Sequence, residues 1–133
     1  MITAYARLTV SPAGSVCIGQ EINFSCRQNN SQGSLTFLRW TVADLSNQLV
    51  FRPSSDHQTG TIRYNGHEFS GILHSITPEF YSTLSVTADT QLNGVNVECL
   101  TDNSMRETLS IDVAAFGKEY NSIASLFTRG KLN

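Results

Sequence analysis

Six side chains carry the thiol and imidazole chemistry of this chain: Cys17, Cys26 and Cys99, and His57, His67 and His74. A thiol can bridge, ligate a metal, or attack a substrate once a neighbouring group has deprotonated it. The spacing matches none of the familiar catalytic or metal-binding arrangements. There is no Cys-x-x-Cys pair, no His-Glu-x-x-His and no Gly-x-Ser-x-Gly. Asp56 and His57 are adjacent, so in an extended chain their side chains point to opposite sides. His67 and Glu68 follow Asn65-Gly66, where a solvated turn accounts for their polarity without a metal. The expectation is a chain with no catalytic residue, no metal site and no cofactor. The three thiols are read either as one bridge with one thiol left over or as buried free thiols of a reducing compartment.

The elements that must position these residues are read from hydrophobic alternation. Ile22, Phe24 and Cys26 fall on one side of an extended segment, and Asn23, Ser25 and Arg27 on the other. The same period of two recurs at Leu38-Trp40-Val42, Leu84-Val86, Val97-Cys99-Thr101 and Leu109-Ile111-Val113. Trp40, Phe24, Leu38 and Val97 are therefore candidate core residues. Tyr5 to Val10 reads as a first strand, stopped by Ser11-Pro12 as an edge strand would be. Gln48 to Arg52 reads as another. Ile62-Arg63-Tyr64 and His67-Glu68-Phe69 flank Asn65-Gly66, which supplies the two positive-φ positions of a type I′ turn and predicts a hairpin. Gly71 to Ile76 reads as a further strand, ended by Thr77-Pro78. After Val113, the residues Phe116, Tyr120, Ile123 and Phe127 recur at helical spacing. The expected organisation is one all-β domain over 4–114, followed at 115–133 by a tail, linker or short C-terminal helix.

Composition narrows the function classes. The chain has 133 residues, a size that buries one sizeable core. Nine Lys and Arg against eleven Asp and Glu give a net charge of −2, which argues against a nucleic-acid or anionic-membrane surface. No apolar run reaches the length of a membrane span, and Met1-Ile2-Thr3 does not begin a signal peptide. Asn23-Phe24-Ser25 and Asn29-Asn30-Ser31 fit the N-glycosylation pattern, with Asn23 on the polar side of its strand.

The order Cys26, Trp40, Cys99 resembles the immunoglobulin superfamily over roughly 4–114. Val16-Cys17-x-Gly19, Phe24-x-Cys26, Leu92-Asn93-Gly94 and Val97-x-Cys99 are similar to immunoglobulin-like domains of surface receptors in early-branching animals such as sponges. Receptor tyrosine kinases and adhesion proteins are among these receptors. The resemblance implies a Greek-key β-sandwich of the variable type, with about nine strands. It implies a Cys26–Cys99 disulfide across a buried Trp40, and hence an oxidising, extracellular setting. Two features depart from the family. Val97 stands where the usual corner tyrosine would be, and Asn93 where an aspartate would be. Residues 104–113 contain no glycine, so the bulge of antigen-receptor domains is missing and an antibody-like pairing is not expected.

The resemblance also names a surface. Variable-like domains often bind through the outward side of strands C, C′, F and G, which here would present Phe37, Arg39, Val50, Glu98 and Leu100. Of these, Phe37 and Leu100, edged by Arg39 and Glu98, have the composition of a binding patch. The expected function is recognition of a protein partner, or of a second copy, by the ectodomain of a surface receptor; a receptor tyrosine kinase is one such parent. The alternatives are a structural spacer in a receptor stalk and a secreted binder of carbohydrate or microbial surfaces. Cys17 is a candidate intermolecular thiol, a third partner for Cys26 or Cys99, or a buried thiol without a role.

Overall fold

In the computed structural model of the chain, residues 7–53, 58–102 and 106–114 are described. They form nine strands: β1 (Arg7–Ser11), β2 (Glu21–Asn29), β3 (Leu38–Val42), β4 (Asp44–Phe51), β5 (Thr59–Tyr64), β6 (His67–Ser75), β7 (Glu79–Thr87), β8 (Asn96–Thr101) and β9 (Glu107–Ser110). The strands pair antiparallel in two sheets, ordered β1-β2-β7-β6-β5 and β4-β3-β8-β9. The fold is a β-sandwich. Alternation builds it: along β2 the residues Ile22, Phe24, Cys26 and Gln28 are buried while Glu21, Asn23, Arg27 and Asn29 are exposed. The inward residues of both sheets form one apolar cluster that includes Phe24, Leu38, Trp40, Phe51, Phe69, Phe80 and Val97. Each large side chain removed from water there contributes about 1.5–3 kcal/mol before entropy is counted.

Two links cross the sandwich side by side. Cys26 of β2 and Cys99 of β8 form a disulfide, with Cα atoms 6.5 Å apart. Cys26 lies opposite Ser82 in one sheet, and Cys99 lies opposite Trp40 in the other. The second link joins those two neighbours: the buried indole Nε1–H of Trp40 donates to Ser82 Oγ at 2.8 Å. Ser82 Oγ then donates to the Ile72 carbonyl at 2.7 Å. A buried indole requires such an acceptor, since an unmatched N–H in the core costs its full hydration.

The middle of the chain differs from expectation in two respects. The strand predicted from Gly71 and the second arm of the hairpin are one strand, β6, because nothing between Phe69 and Gly71 breaks it. Gly71 is buried opposite Gly60 of β5. A Cβ on either glycine would strike the side chain of Leu49, which reaches across from β4. The glycine pair is thus a slot for Leu49. The second difference concerns sheet membership. Variable-type domains add both extra strands to the sheet of C, F and G. Here β4 joins that sheet and β5 joins the other. The cause is local: Asn65 (φ 52°) and Gly66 (φ 82°) make a two-residue turn, which pairs β5 with β6 and so brings it into that sheet.

The corner before β8 carries no tyrosine and is closed by a turn. Asn93 (φ −62°, ψ 128°) and Gly94 (φ 82°) form a type II turn, with the Val95 N–H donating to the Leu92 carbonyl at 3.1 Å. Asn93 Oδ1 accepts the Val113 N–H at 2.9 Å. Beyond β9, Val113 bridges Val16 in parallel, so the segment after β1 closes against the end of the domain. The helical spacing from Phe116 to Phe127 lies outside the described residues, as do Tyr5, Asp56 and His57.

Candidate functional site

The outward side of the four-stranded sheet is assembled by register. Arg39 of β3 lies opposite Val50 of β4 and Leu100 of β8, so these three make one cross-strand row. Thr41, two residues on, lies opposite Gln48 and Glu98, and Glu98 lies opposite Thr108 of β9. Phe37 precedes β3 by one residue. Its approach is fixed by Asp102, whose carboxylate accepts the Thr36 N–H at 3.0 Å and the Thr36 hydroxyl at 2.7 Å. Phe37, Arg39, Val50, Glu98 and Leu100 are all half-buried. Arg39, Val50, Glu98 and Leu100 are neighbours on one face by register, and none of the five is the freely exposed residue that alternation alone suggests.

Polar atoms on this face are incompletely satisfied. Among the described residues, Arg39 Nε and Thr41 Oγ1 are buried and have no hydrogen-bond partner. Thr41 is only 4% exposed although it points away from the core. Beside it runs a groove of about 550 Å³, lined by Thr41, Asp44, Leu45, Glu98, Arg106 and Thr108 among others. Arg106 Nε meets Glu98 Oε2 at 2.6 Å; the Glu98 side chain is 14% exposed and that of Arg106 63%. Hydrogen bonds from the Ser46 hydroxyl and then the Ser46 N–H hold the Asp44 carboxyl below the usual carboxylate range. The groove lies at a local irregularity, with Thr41, Ala43 and Asp44 in its lining. The β3–β4 register shifts at Thr41/Val42, and Ala43, which joins Val42 to its partner Asp44, takes a left-handed conformation (φ 68°). Groove residues Asp44, Leu45 and Arg106 gave no sequence signal, because a positive φ at an alanine has none. Thr41 shares the alternation of Arg39 and could have been found.

The other outward face is of a different kind. Thr9, Ser25, Thr83, Ile72 and Thr59 form one row across all five strands. Ser11, Asn23, Ser85, Ser70 and Thr61 form the next. A ladder tops them: the Arg27 guanidinium lies 3.8 Å from the Tyr81 ring centroid, and Tyr81 stacks on His74 at 4.7 Å. Arg27 also pairs with Glu79 at 2.8 Å, and His74 Nε2 lies 2.8 Å from Thr83 Oγ1. Asn23 and Asn29 are both exposed on this sheet, and Asn29 Oδ1 accepts the Ser31 N–H. Cys17 is half-exposed and outside the disulfide, its backbone bonded in both directions to Gln20.

No cluster of three or more metal-ligating side chains occurs among the described residues. No helix among them is long and apolar enough to cross a membrane. No family model matches the chain, and no curated protein matches it.

Proposed function

We propose that this chain is an extracellular recognition module of the immunoglobulin superfamily, part of the ectodomain of a surface receptor. It binds a protein partner, or a second copy of itself, through the outward face of β4, β3, β8 and β9. The observation that carries this reading is the Val50–Arg39–Leu100 row, half-buried apolar groups around a guanidinium that lacks its full set of partners. A partner with apolar contacts and a hydrogen-bond acceptor for Arg39 would match that composition. The disulfide and the cross-sheet Trp40–Ser82 bond support membership in the superfamily, and the disulfide supports an oxidising compartment. Glycans on Asn23 and Asn29 would stand on the opposite sheet and leave the binding face open. Chemistry on a substrate is no part of this reading.

The test uses beads densely coated with the secreted chain. Their self-aggregation, and their binding to dissociated cells of early-branching animals, is compared with beads carrying Arg39→Glu together with Leu100→Asp. Loss of both activities in the double variant supports the reading. Indistinguishable behaviour of the two bead types, with matched thermal stability, would favour a spacer domain instead.

A further inference from the structure

We infer that the groove beside Thr41 is a subsite for one cationic side chain, a lysine or arginine of the protein partner. This inference rests on the recognition reading above. The groove is rich in acceptors: the carboxylates of Asp44 and Glu98 and the hydroxyls of Thr41 and Thr108. Its one formal cation, Arg106, sits exposed at the Glu98 carboxylate. Asp44 is held in its ionised form by Ser46, so the lining carries one negative charge more than positive. Thr41 Oγ1 is buried without a partner, and a donor delivered from the groove would satisfy it. A guanidinium or ammonium supplies donors only, which complements the two carboxylates and can satisfy the Thr41 hydroxyl. The Arg106–Glu98 pair demonstrates that a guanidinium fits the Glu98 carboxylate at 2.6 Å. The chain therefore fills part of the subsite with a chemical copy of the proposed occupant. A sugar fits less well, since no aromatic ring lines the groove to receive its apolar face. Leu45, 58% exposed at the edge, would pack on the methylene stem of the entering side chain.

The experiment is a backbone-amide NMR titration of the isotopically labelled chain with N-acetyl-arginine amide, and in parallel with N-acetyl-glutamine amide and methyl glucoside. Saturable shifts at Thr41, Glu98 and Thr108 with the arginine probe alone are expected. Glu98→Gln should weaken the probe about tenfold, the size of one charge-assisted hydrogen bond. Arg106→Ala should tighten it about threefold or more by removing the internal competitor. Thr41→Val, which keeps the side-chain shape, should weaken it by a smaller factor. No saturable shift at these amides, an equal response to the neutral probes, or weaker binding in Arg106→Ala would each overturn the inference. The bead assay is independent of this titration. Failure here with bead binding intact removes only the cationic subsite, whereas loss of the bead result removes the recognition reading beneath it.

Discussion

The two outward faces of the sandwich differ in how completely their polar groups are matched. On the five-stranded sheet, hydroxyls repeat in rows, and the largest side chains are tied into the Glu79–Arg27–Tyr81–His74 ladder. That face is finished without help from another molecule. On the four-stranded sheet, Arg39 Nε and Thr41 Oγ1 are withdrawn from water without a partner, next to half-buried Val50 and Leu100. Natural surfaces seldom leave such atoms unmatched. The proposed binding face is thus set apart by the incompleteness of its internal bonding.

The largest expected effect concerns what holds the two faces together. Replacing Cys26 and Cys99 by Ala should cost about 4 kcal/mol on the chain-entropy model for a span of 73 residues, measured by urea unfolding of the secreted protein. Next is the parallel link. Ser82→Ala strands the buried Trp40 N–H and should cost about 1–3 kcal/mol, followed by indole fluorescence in the same titration. Gly71→Ala drives a methyl into Leu49 and should cost about 1–2 kcal/mol, with part recovered in the Gly71→Ala, Leu49→Ala double variant. The last two changes separate the faces themselves. Arg27→Ala on the finished face should cost less than about 1 kcal/mol, because its ion pair and ring contact are solvent-exposed. Thr41→Val on the unfinished face should leave stability unchanged or raise it slightly, since no bond is lost. A clear loss of stability in Thr41→Val would show that its hydroxyl is satisfied and would erase the contrast.

Much of the fold is legible in the chain because alternation is a short-range signal. Ile22-Phe24-Cys26 and Leu38-Trp40-Val42 state their inward faces directly, and Asn65-Gly66 states its hairpin. The Cys26–Cys99 bridge was legible only through resemblance, as spacing alone leaves three thiols with several pairings. Sheet membership of β5 was available in principle, because a two-residue turn forces the pairing with β6, yet the family pattern pointed elsewhere. The slot formed by Gly60 and Gly71 was not readable, since it depends on a leucine from a strand in the opposite sheet. The candidate face was half legible. Arg39, Val50, Glu98 and Leu100 follow from alternation, while the groove sits beside a register shift and a left-handed alanine that leave no trace in composition.

The parallel bridge between Val16 and Val113 has a mechanical side. The Val16 N–H donates to the Asp112 carbonyl and the Ala114 N–H donates to the Val16 carbonyl, both at 2.9 Å, while Ser15 Oγ donates to the Asp112 carboxylate. Because the two segments run in the same direction, a pull on the chain ahead of Val16 and beyond Ala114 slides one along the other. These bonds then share the load at once instead of peeling in sequence. The force needed to open the domain should accordingly depend on its axis, being highest when tension runs through this bridge and lower when it enters at the β5–β6 turn.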